Sequence, residues 1–266
     1  MEKGRGCLWE GGLFGLGPGA RAPGLHSHHA FQLTLALDGG RVRFRDEATD
    51  WQDYRGVLIA PEHPHAYDGT GGLVLMLLLD PESRAGRWLQ NSVRAPFTPV
   101  RDELIARHEQ ALLAAWHAPF DADRTRAVLE AVVRDACTGP PPRGELDGRV
   151  RHAIARVRAQ GGERLTLEQI AAEVFLSPSR FAHLFAEQTG LGFRRYQLWR
   201  RLCAATLRIG AGDSFTAAAH TAGFADSAHL TRTYKQMFGL TPTDLTSAVE
   251  IYSMRPPFED DATAAA

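Results

Sequence analysis

Cysteine is scarce. The 266 residues hold only Cys7, Cys137 and Cys203, widely spaced and without a Cys-x-x-Cys pair. An odd, scattered set argues against a disulfide framework and a zinc knuckle, so reduced thiols are expected. Long apolar runs are also missing: the longest spans Leu73 to Leu79, far short of the roughly 20 residues that cross a bilayer. The first twenty residues are glycine-rich and lack the apolar core of a secretion signal, so a cytoplasmic protein with no membrane partner is expected. The run Gly11-Gly12, Gly15, Gly17 and Gly19 lacks the Lys-Ser/Thr ending of a phosphate loop and reads as turns. Net charge is nearly absent, with 30 basic residues against 31 acidic.

That charge is unevenly placed. Residues 147–246 carry 13 Lys or Arg against 8 Asp or Glu, a net of +5. Residues 1–146 carry 16 against 19, and residues 247–266 carry 1 against 4, a net of −3 each. A basic module on a mildly acidic body suits a phosphate-backbone partner.

Within the basic module, Asp226 to Leu240 reads as a helix. Asp226 is a good N-cap, Leu230, Tyr234 and Met237 form an apolar stripe, and Gly239 fits a helix stop. Ser227, His229, Thr231, Arg232 and Lys235 lie off the stripe. Ala218 to Phe224, just upstream, reads as a small-residue helix closing into a tight turn. A second copy precedes it: Ile170 to Leu176, then Ser177 to Leu191, with Ser177 as cap and Pro178 at the first helical position. Gly190 maps to Gly239, Phe181 to Leu230, His183 to Arg232 and Phe185 to Tyr234, each 49 residues on. Before the turn the separation is 48, Ala171 onto Ala219 and Val174 onto Ala222, so the second copy has one extra turn residue. A short helix, a turn and a polar helix make a helix-turn-helix.

With these motifs, LTLEQIAAEVFLSPSRFAHLFAEQTGLGFRRYQLWRRLCAATLRI and AAHTAGFADSAHLTRTYKQMFGLTP, residues 147–246 resemble the DNA-binding domain of the AraC family of transcription regulators. The resemblance implies two helix-turn-helix units joined by a long helix, here Phe193 to Ile209. It places Ser179, Arg180, Ala182 and His183 of the first unit, and Ser227, Ala228, His229 and Arg232 of the second, toward the bases. Arg194, Arg195, Arg200 and Arg201 of the joining helix are expected at phosphates or packed between the units. Two departures stand out. Phe175 occupies a position where a small residue, often Gly, is usual, which points to a distorted first turn. Ala218 replaces a larger aliphatic, which points to looser packing in the second unit.

Residues 8 to about 80 read as strands. Phe31 to Leu37 alternates before Asp38-Gly39-Gly40, a hairpin signal leading into Val42 and Phe44. Gly56 to Pro61 and Leu73 to Leu79 are further short strands, and the set suggests an antiparallel barrel or jelly roll. His26-Ser27-His28 puts two imidazoles on one face of an extended chain, Gln32 points the same way, and His65 follows the Pro61 strand. His29 and His63 are expected to face solvent. This pattern resembles the barrel of the cupin superfamily, whose metal sites use His-x-His, a following Glu and a later His. Gln32 here replaces the Glu and brings no charge, so any divalent metal on His26, His28 and His65 should be held weakly. The alternative is that His26, His28, Gln32 and His65 line a pocket for a small organic ligand or fill the barrel.

After Pro96-Phe97-Thr98-Pro99 the period changes. Leu104, Ile105, His108, Ala111, Leu112, Ala115 and Trp116 form one helical face; Val128, Leu129, Val132 and Val133 form another, capped by Asp121. In the regulators resembled, such helices commonly dimerise, which implies a homodimer; packing within the chain is the alternative. The expected chain is α+β: residues 1–95 a cupin-like antiparallel β-barrel sensor, 96–137 a helical pair, 138–146 a proline-rich linker, 147–246 an all-α domain with two helix-turn-helix units, and 247–266 a disordered tail. The expected function is sequence-specific binding of double-stranded DNA, modulated by a small-molecule effector, with RNA polymerase a candidate partner and no catalysis. The alternative from another class is a cupin metalloenzyme with an attached DNA-binding module.

Overall fold

The computed structural model describes residues 2–159, 164–252 and 254–258. Two compact units emerge, one of residues 1–142 with 247–266, the other of residues 143–246.

The first unit is built on two sheets. Strands β1 (Gly4–Trp9), β2 (Gly12–Pro18), β4 (Phe31–Leu37), β7 (Gly56–Ile59), β9 (Leu73–Leu79), β10 (Phe97–Pro99) and β11 (Val249–Tyr252) form a seven-stranded sheet in the order β10-β7-β4-β9-β2-β1-β11. Strands β3 (Arg21–His26), β5 (Val42–Arg45), β6 (Gln52–Tyr54) and β8 (His65–Asp68) form a second sheet, β3-β8-β5-β6. The expected barrel is thus an open pair of sheets. Asp38 and Gly39 do make a tight turn, both with positive φ (54° and 69°), closed by Gly40 N–H donating to Leu37 O. Yet β5 pairs with β6 and β8, not β4, so the turn carries the chain from one sheet to the other and is no hairpin.

Every residue of β4 is buried. With side chains alternating, Leu33, Leu35 and Leu37 take one face and Gln32 and Thr34 the other. The leucine face joins Leu75, Leu77 and Leu79 of β9 in a core shared with α1 (Arg84–Leu89), α2 (Asp102–His117) and α3 (Ala122–Ala136). Leu104, Ile105, Leu112, Leu129, Val132 and Val133 supply the helical side of that core, while Ala111 is exposed. Asp121 caps α3, its carboxylate accepting from Arg124 N–H at 2.9 Å. A strand covered on both faces reads as a near-continuous apolar run, here broken by Gln32 and Thr34. Phe97–Pro99, expected at the start of the helical pair, instead pairs with β7.

The tail departs from the expected disorder. Val249–Tyr252 adds to the sheet as a parallel partner of β1, Gly4 opposite Val249 through Cys7 opposite Tyr252. Tyr252 stacks on Phe120 at 4.2 Å between ring centres, Met254 is buried, and Phe258 N–H donates to Glu130 Oε1. Aromatic and aliphatic residues that match an existing apolar surface outweigh the proline and acidic content that suggested disorder. Residues 259–266, with the acidic Glu259-Asp260-Asp261, lie outside the described residues.

The second unit is helical: α4 (Gly148–Ala159), α5 (Leu167–Glu173), α6 (Pro178–Thr189), α7 (Phe193–Gly210), α8 (Phe215–Thr221), α9 (Ser227–Phe238) and α10 (Pro242–Ala248), whose last two residues fall in the first unit. Thr166 and Gln169 cap α5 reciprocally, each side chain accepting from the other's backbone N–H. Helices α6 and α9 are both 12 residues, and both stop at a left-handed glycine, Gly190 (φ 77°) and Gly239 (φ 71°). Between α5 and α6 the turn is one residue shorter than between α8 and α9, as the 48-then-49 spacing requires.

Candidate functional site

In the helical unit, α6 and α9 each bury one face and expose the other. Phe181 and Phe185 of α6, and Leu230, Tyr234 and Met237 of α9, face inward. Ser179, Arg180 and His183 are exposed and Ala182 is half-buried; Ala228 and Arg232 are exposed while Ser227 and His229 are half-buried. His229 sets its ring edge-on to Phe224, 5.3 Å between centres, so part of it is engaged in packing. The N-caps orient these faces: Ser177 Oγ accepts from Arg180 N–H at 3.3 Å, and Asp226 Oδ1 accepts from His229 N–H at 2.6 Å. The latter bond holds the Asp226 carboxyl below its usual range, keeping a carboxylate at the positive end of α9.

Arg194 and Arg195, at the start of α7, are exposed. Arg201 is not at a phosphate. It is 7% exposed, its guanidinium donates to Ala222 O at 2.8 Å and to Gly223 O, and it lies over the Phe224 ring. Packing between the units was one of the two roles the sequence left open for it. Gln197, which sequence reasoning passed over, is buried and bonded on both amide atoms. A polar residue one turn from Arg201 on the apolar side of α7 was the available signal.

In the sheet unit, His26, His28, Gln32 and His65 come together and are all buried. The extended chain ends at His26, and His28 lies in the connection to β4. A bulge makes the meeting possible: Ala22 pairs with Tyr67 and then His26 with His65, so three residues of β3 oppose one of β8. Ring centres lie 4.4 Å apart for His26 and His65, 5.2 Å for His28 and His65, and 6.2 Å for His26 and His28. Phe44 and Tyr67 extend the wall, Phe44 lying 5.9 Å from His65 and 5.0 Å from Tyr67. Thr34, one strand period beyond Gln32, belongs to the same set, and that periodicity alone would have found it.

The tautomers follow from the partners. Nδ1 of His26, His28 and His65 lies 3.1, 3.0 and 2.9 Å from the carbonyls of Gly24, Ala30 and His63. A carbonyl only accepts, so each Nδ1 carries the proton and each Nε2 presents a lone pair. Burial pushes the pKa of all three rings down, to about 4 for His28 and well below the ordinary value for His65. The rings are therefore neutral at pH 7. His28 Nε2 lies 2.9 Å from Gln32 Oε1, and Gln32 Nε2 donates to the Thr34 hydroxyl at 3.0 Å; turning the amide over gives the Nδ1-protonated ring a donor at Nε2. His65 Nε2 is buried with no hydrogen-bond partner among the described residues.

Against a divalent metal this set does not fit. Gln32 supplies no charge, His28 Nε2 is engaged by Gln32, and among the described residues no three His, Cys, Asp or Glu side chains are grouped to hold a metal ion. His29 and His63 differ from expectation. His29 is buried against Glu82, Nε2 to Oε2 3.1 Å, because the loop after β3 turns it inward. His63 is half-buried and reaches Asp46 Oδ2 at 3.0 Å.

Two turn-linked helix pairs of matched geometry on a shared central helix define a double helix-turn-helix module. Residues 170–248 match the family model described as a helix-turn-helix domain, within the part of the chain whose motifs resemble the AraC type. The chain is 29% identical over 105 residues to the regulatory protein PocR of Salmonella typhimurium, covering 39% of this chain and 34% of PocR. It is 23% identical over 198 residues to the HTH-type transcriptional regulator RipA of Corynebacterium glutamicum, covering 72% and 54%. It is 26% identical over 107 residues to the arabinose operon regulatory protein of Escherichia coli, covering 40% and 37%. The chain thus spans from about a third to about half the length of these relatives. In fold it is similar to ToxT of Vibrio cholerae, with a TM-score of 0.57 at 11% identity over 90% of this chain and 99% of that one. No helix among the described residues is long and apolar enough to cross a membrane.

Proposed function

We propose that this protein is a transcription regulator that reads double-stranded DNA through α6 and α9 and responds to a small molecule held between its sheets. The observation that carries the reading is the repeated geometry: two 12-residue helices with exposed polar faces, each ending at a left-handed glycine, joined by α7. Helices so joined reach successive major grooves about 34 Å apart. Ser179, Arg180, Ala182 and His183 then face one half-site, Ser227, Ala228, His229 and Arg232 the other, and Arg194 and Arg195 meet phosphates. Selection of bound sites from random DNA by the purified protein tests this. A two-part site with parts about one helical turn apart, bound more weakly as salt rises, is expected; recovery of no common sequence overturns the reading.

The pocket's chemistry narrows the effector class. The Nε2 lone pairs of neutral His26 and His65 accept hydrogen bonds and donate none, so they favour a ligand carrying a hydroxyl, amide or amine N–H over a carboxylate. ToxT has been crystallised with an unsaturated fatty acid; its acid group would find no donor at these imidazoles near pH 7. The matching relatives are named as regulators, and the imidazoles form no metal-ligand set, which leaves the metalloenzyme alternative without a supporting residue group. The homodimer and the RNA polymerase contact implied by the resemblance, and the cytoplasmic location, stay within this proposal. Because α2 and α3 bury their apolar faces against their own sheet, a dimer would form through their polar faces.

A further inference from the structure

Helix α7 holds each helix-turn-helix pair by aromatic contact and one buried polar clamp. Toward the first pair, Phe193 and Tyr196 meet Phe185 of α6 edge-on, each 5.2 Å between ring centres, and Gln197 grips the residue before the α5 cap. Gln197 Oε1 accepts from Leu165 N–H and its Nε2 donates to Leu165 O, both at 2.9 Å. Toward the second pair, Trp199 packs on Phe238 of α9, 5.7 Å between centres. Arg201 donates to Ala222 O and Gly223 O, the first carbonyls of the turn from α8 into α9. Gln197 and Arg201 are four residues apart, about 6 Å along one face of a rigid helix.

The apolar burial in these contacts is non-directional, and the edge-on preference of aromatic rings is a soft one of about 0.5–1.5 kcal/mol. Two-point hydrogen bonds to backbone are directional: they fix distance and angle together. We infer that Gln197 and Arg201 set the spacing and phase between the two recognition helices, making them positioning residues for operator spacing although neither reaches DNA. This inference rests on the DNA-reading proposal above. Each base pair inserted between half-sites moves the second by about 3.4 Å and a tenth of a turn, so a rigid pair of readers discriminates steeply among spacings.

The test uses the full chain on the site the wild type selects, and on versions with one or two base pairs inserted or removed between the halves. Wild type should lose about tenfold or more in affinity for each altered spacing, comparable to a mismatched base pair. Gln197→Met keeps side-chain length and Arg201→Met keeps the apolar stem; they should flatten that penalty to about threefold or less while leaving base preferences within each half unchanged. Arg201→Lys, which keeps the charge and can reach one carbonyl, should fall between, and it decides the matter should Arg201→Met not fold. Equal weakening at every spacing, with the wild-type preference intact, overturns the inference and leaves the DNA reading standing. Failure of the wild type to select any site overturns both.

Discussion

Phe175 and Gly223, 48 residues apart, occupy the same backbone position. Both are left-handed, φ 57° and 75°, at the turn of their helix-turn-helix pairs. The surrounding bonds are the same too. Phe175 N–H donates to Ala172 O and Leu176 N–H to Ala171 O; Gly223 N–H donates to His220 O and Phe224 N–H to Ala219 O. The first turn is therefore not distorted by its bulky residue, which adopts the conformation of a glycine and leaves its ring 94% exposed.

That conformation has a cost. A left-handed residue with a Cβ loses about 1–2 kcal/mol, and glycine's extra chain entropy takes back about 0.5–1. With no buried ring to lose, Phe175→Gly should stabilise the helical unit by about 0.5–1 kcal/mol. Gly223→Ala should destabilise it by about 1 kcal/mol. Urea unfolding followed by circular dichroism measures both, and a stability loss for Phe175→Gly would mean the ring has a partner in solution.

Removing residues 249–266 should weaken the sheet unit. The deletion takes away the strand on β1, the Tyr252 stack on Phe120 and the buried Met254. Burial of one such side chain and one aromatic pair amounts to about 2–4 kcal/mol. The expected result is a lower unfolding midpoint for the sheet unit; an unchanged midpoint would return the segment to the disordered tail the sequence suggested.

Much of the helical unit was legible, and the reason lies in local chemistry. Capping residues, an apolar stripe and a glycine stop act within a few residues of each other, so Asp226, Leu230 and Gly239 announce their helix without tertiary information. The sheet unit was less legible because its decisive features are long-range. Asp38-Gly39 marks a tight turn equally well whether the next strand pairs back or crosses over. Nothing local tells β3 to bulge so that His26 meets His65, or β11 to return to β1. The imidazole set was found by period-two spacing, yet the same rule sent His29 outward, because it assumes a strand where the chain loops. Arg201 shows where local reading stops: phosphate contact and packing were both open for it, and only the tertiary structure reveals the two backbone carbonyls.

The imidazole cluster predicts a pH response. His26, His28 and His65 have folded-state pKa values below their ordinary value of 6.5, so the unfolded chain binds protons first as pH falls. Their contribution to stability is complete above about pH 6.5 and is lost as pH drops toward 4, at up to about 1.4 kcal/mol per pH unit for each ring. Gln32→Glu places a carboxylate beside His28 Nε2, favours the charged ring and should flatten part of this slope. Denaturant titrations between pH 4 and 7 on both proteins decide it; parallel slopes would show that His28 does not contribute.

Arg232 and Arg194 separate reading from adhesion. Arg232 lies two positions past the buried Leu230 and is exposed on α9, within the electrostatic reach of the Asp226 cap. A guanidinium there can donate two bonds to the O6 and N7 edge of one guanine. Arg232→Ala should then cost about 1–3 kcal/mol on the selected site, concentrated at one base pair that becomes tolerant of other bases. Arg194, exposed at the start of α7, should instead weaken all sequences alike and lower the salt dependence by about one phosphate contact when changed to Ala. His183, the counterpart of Arg232 in the first pair and exposed on α6, should show the same base-pair-specific pattern with a smaller loss, since a neutral imidazole offers a single donor. Binding across all single-base variants of the site distinguishes the patterns. A uniform loss for Arg232→Ala would move that residue to the phosphate class and leave reading in the second half-site to Ser227, Ala228 and His229.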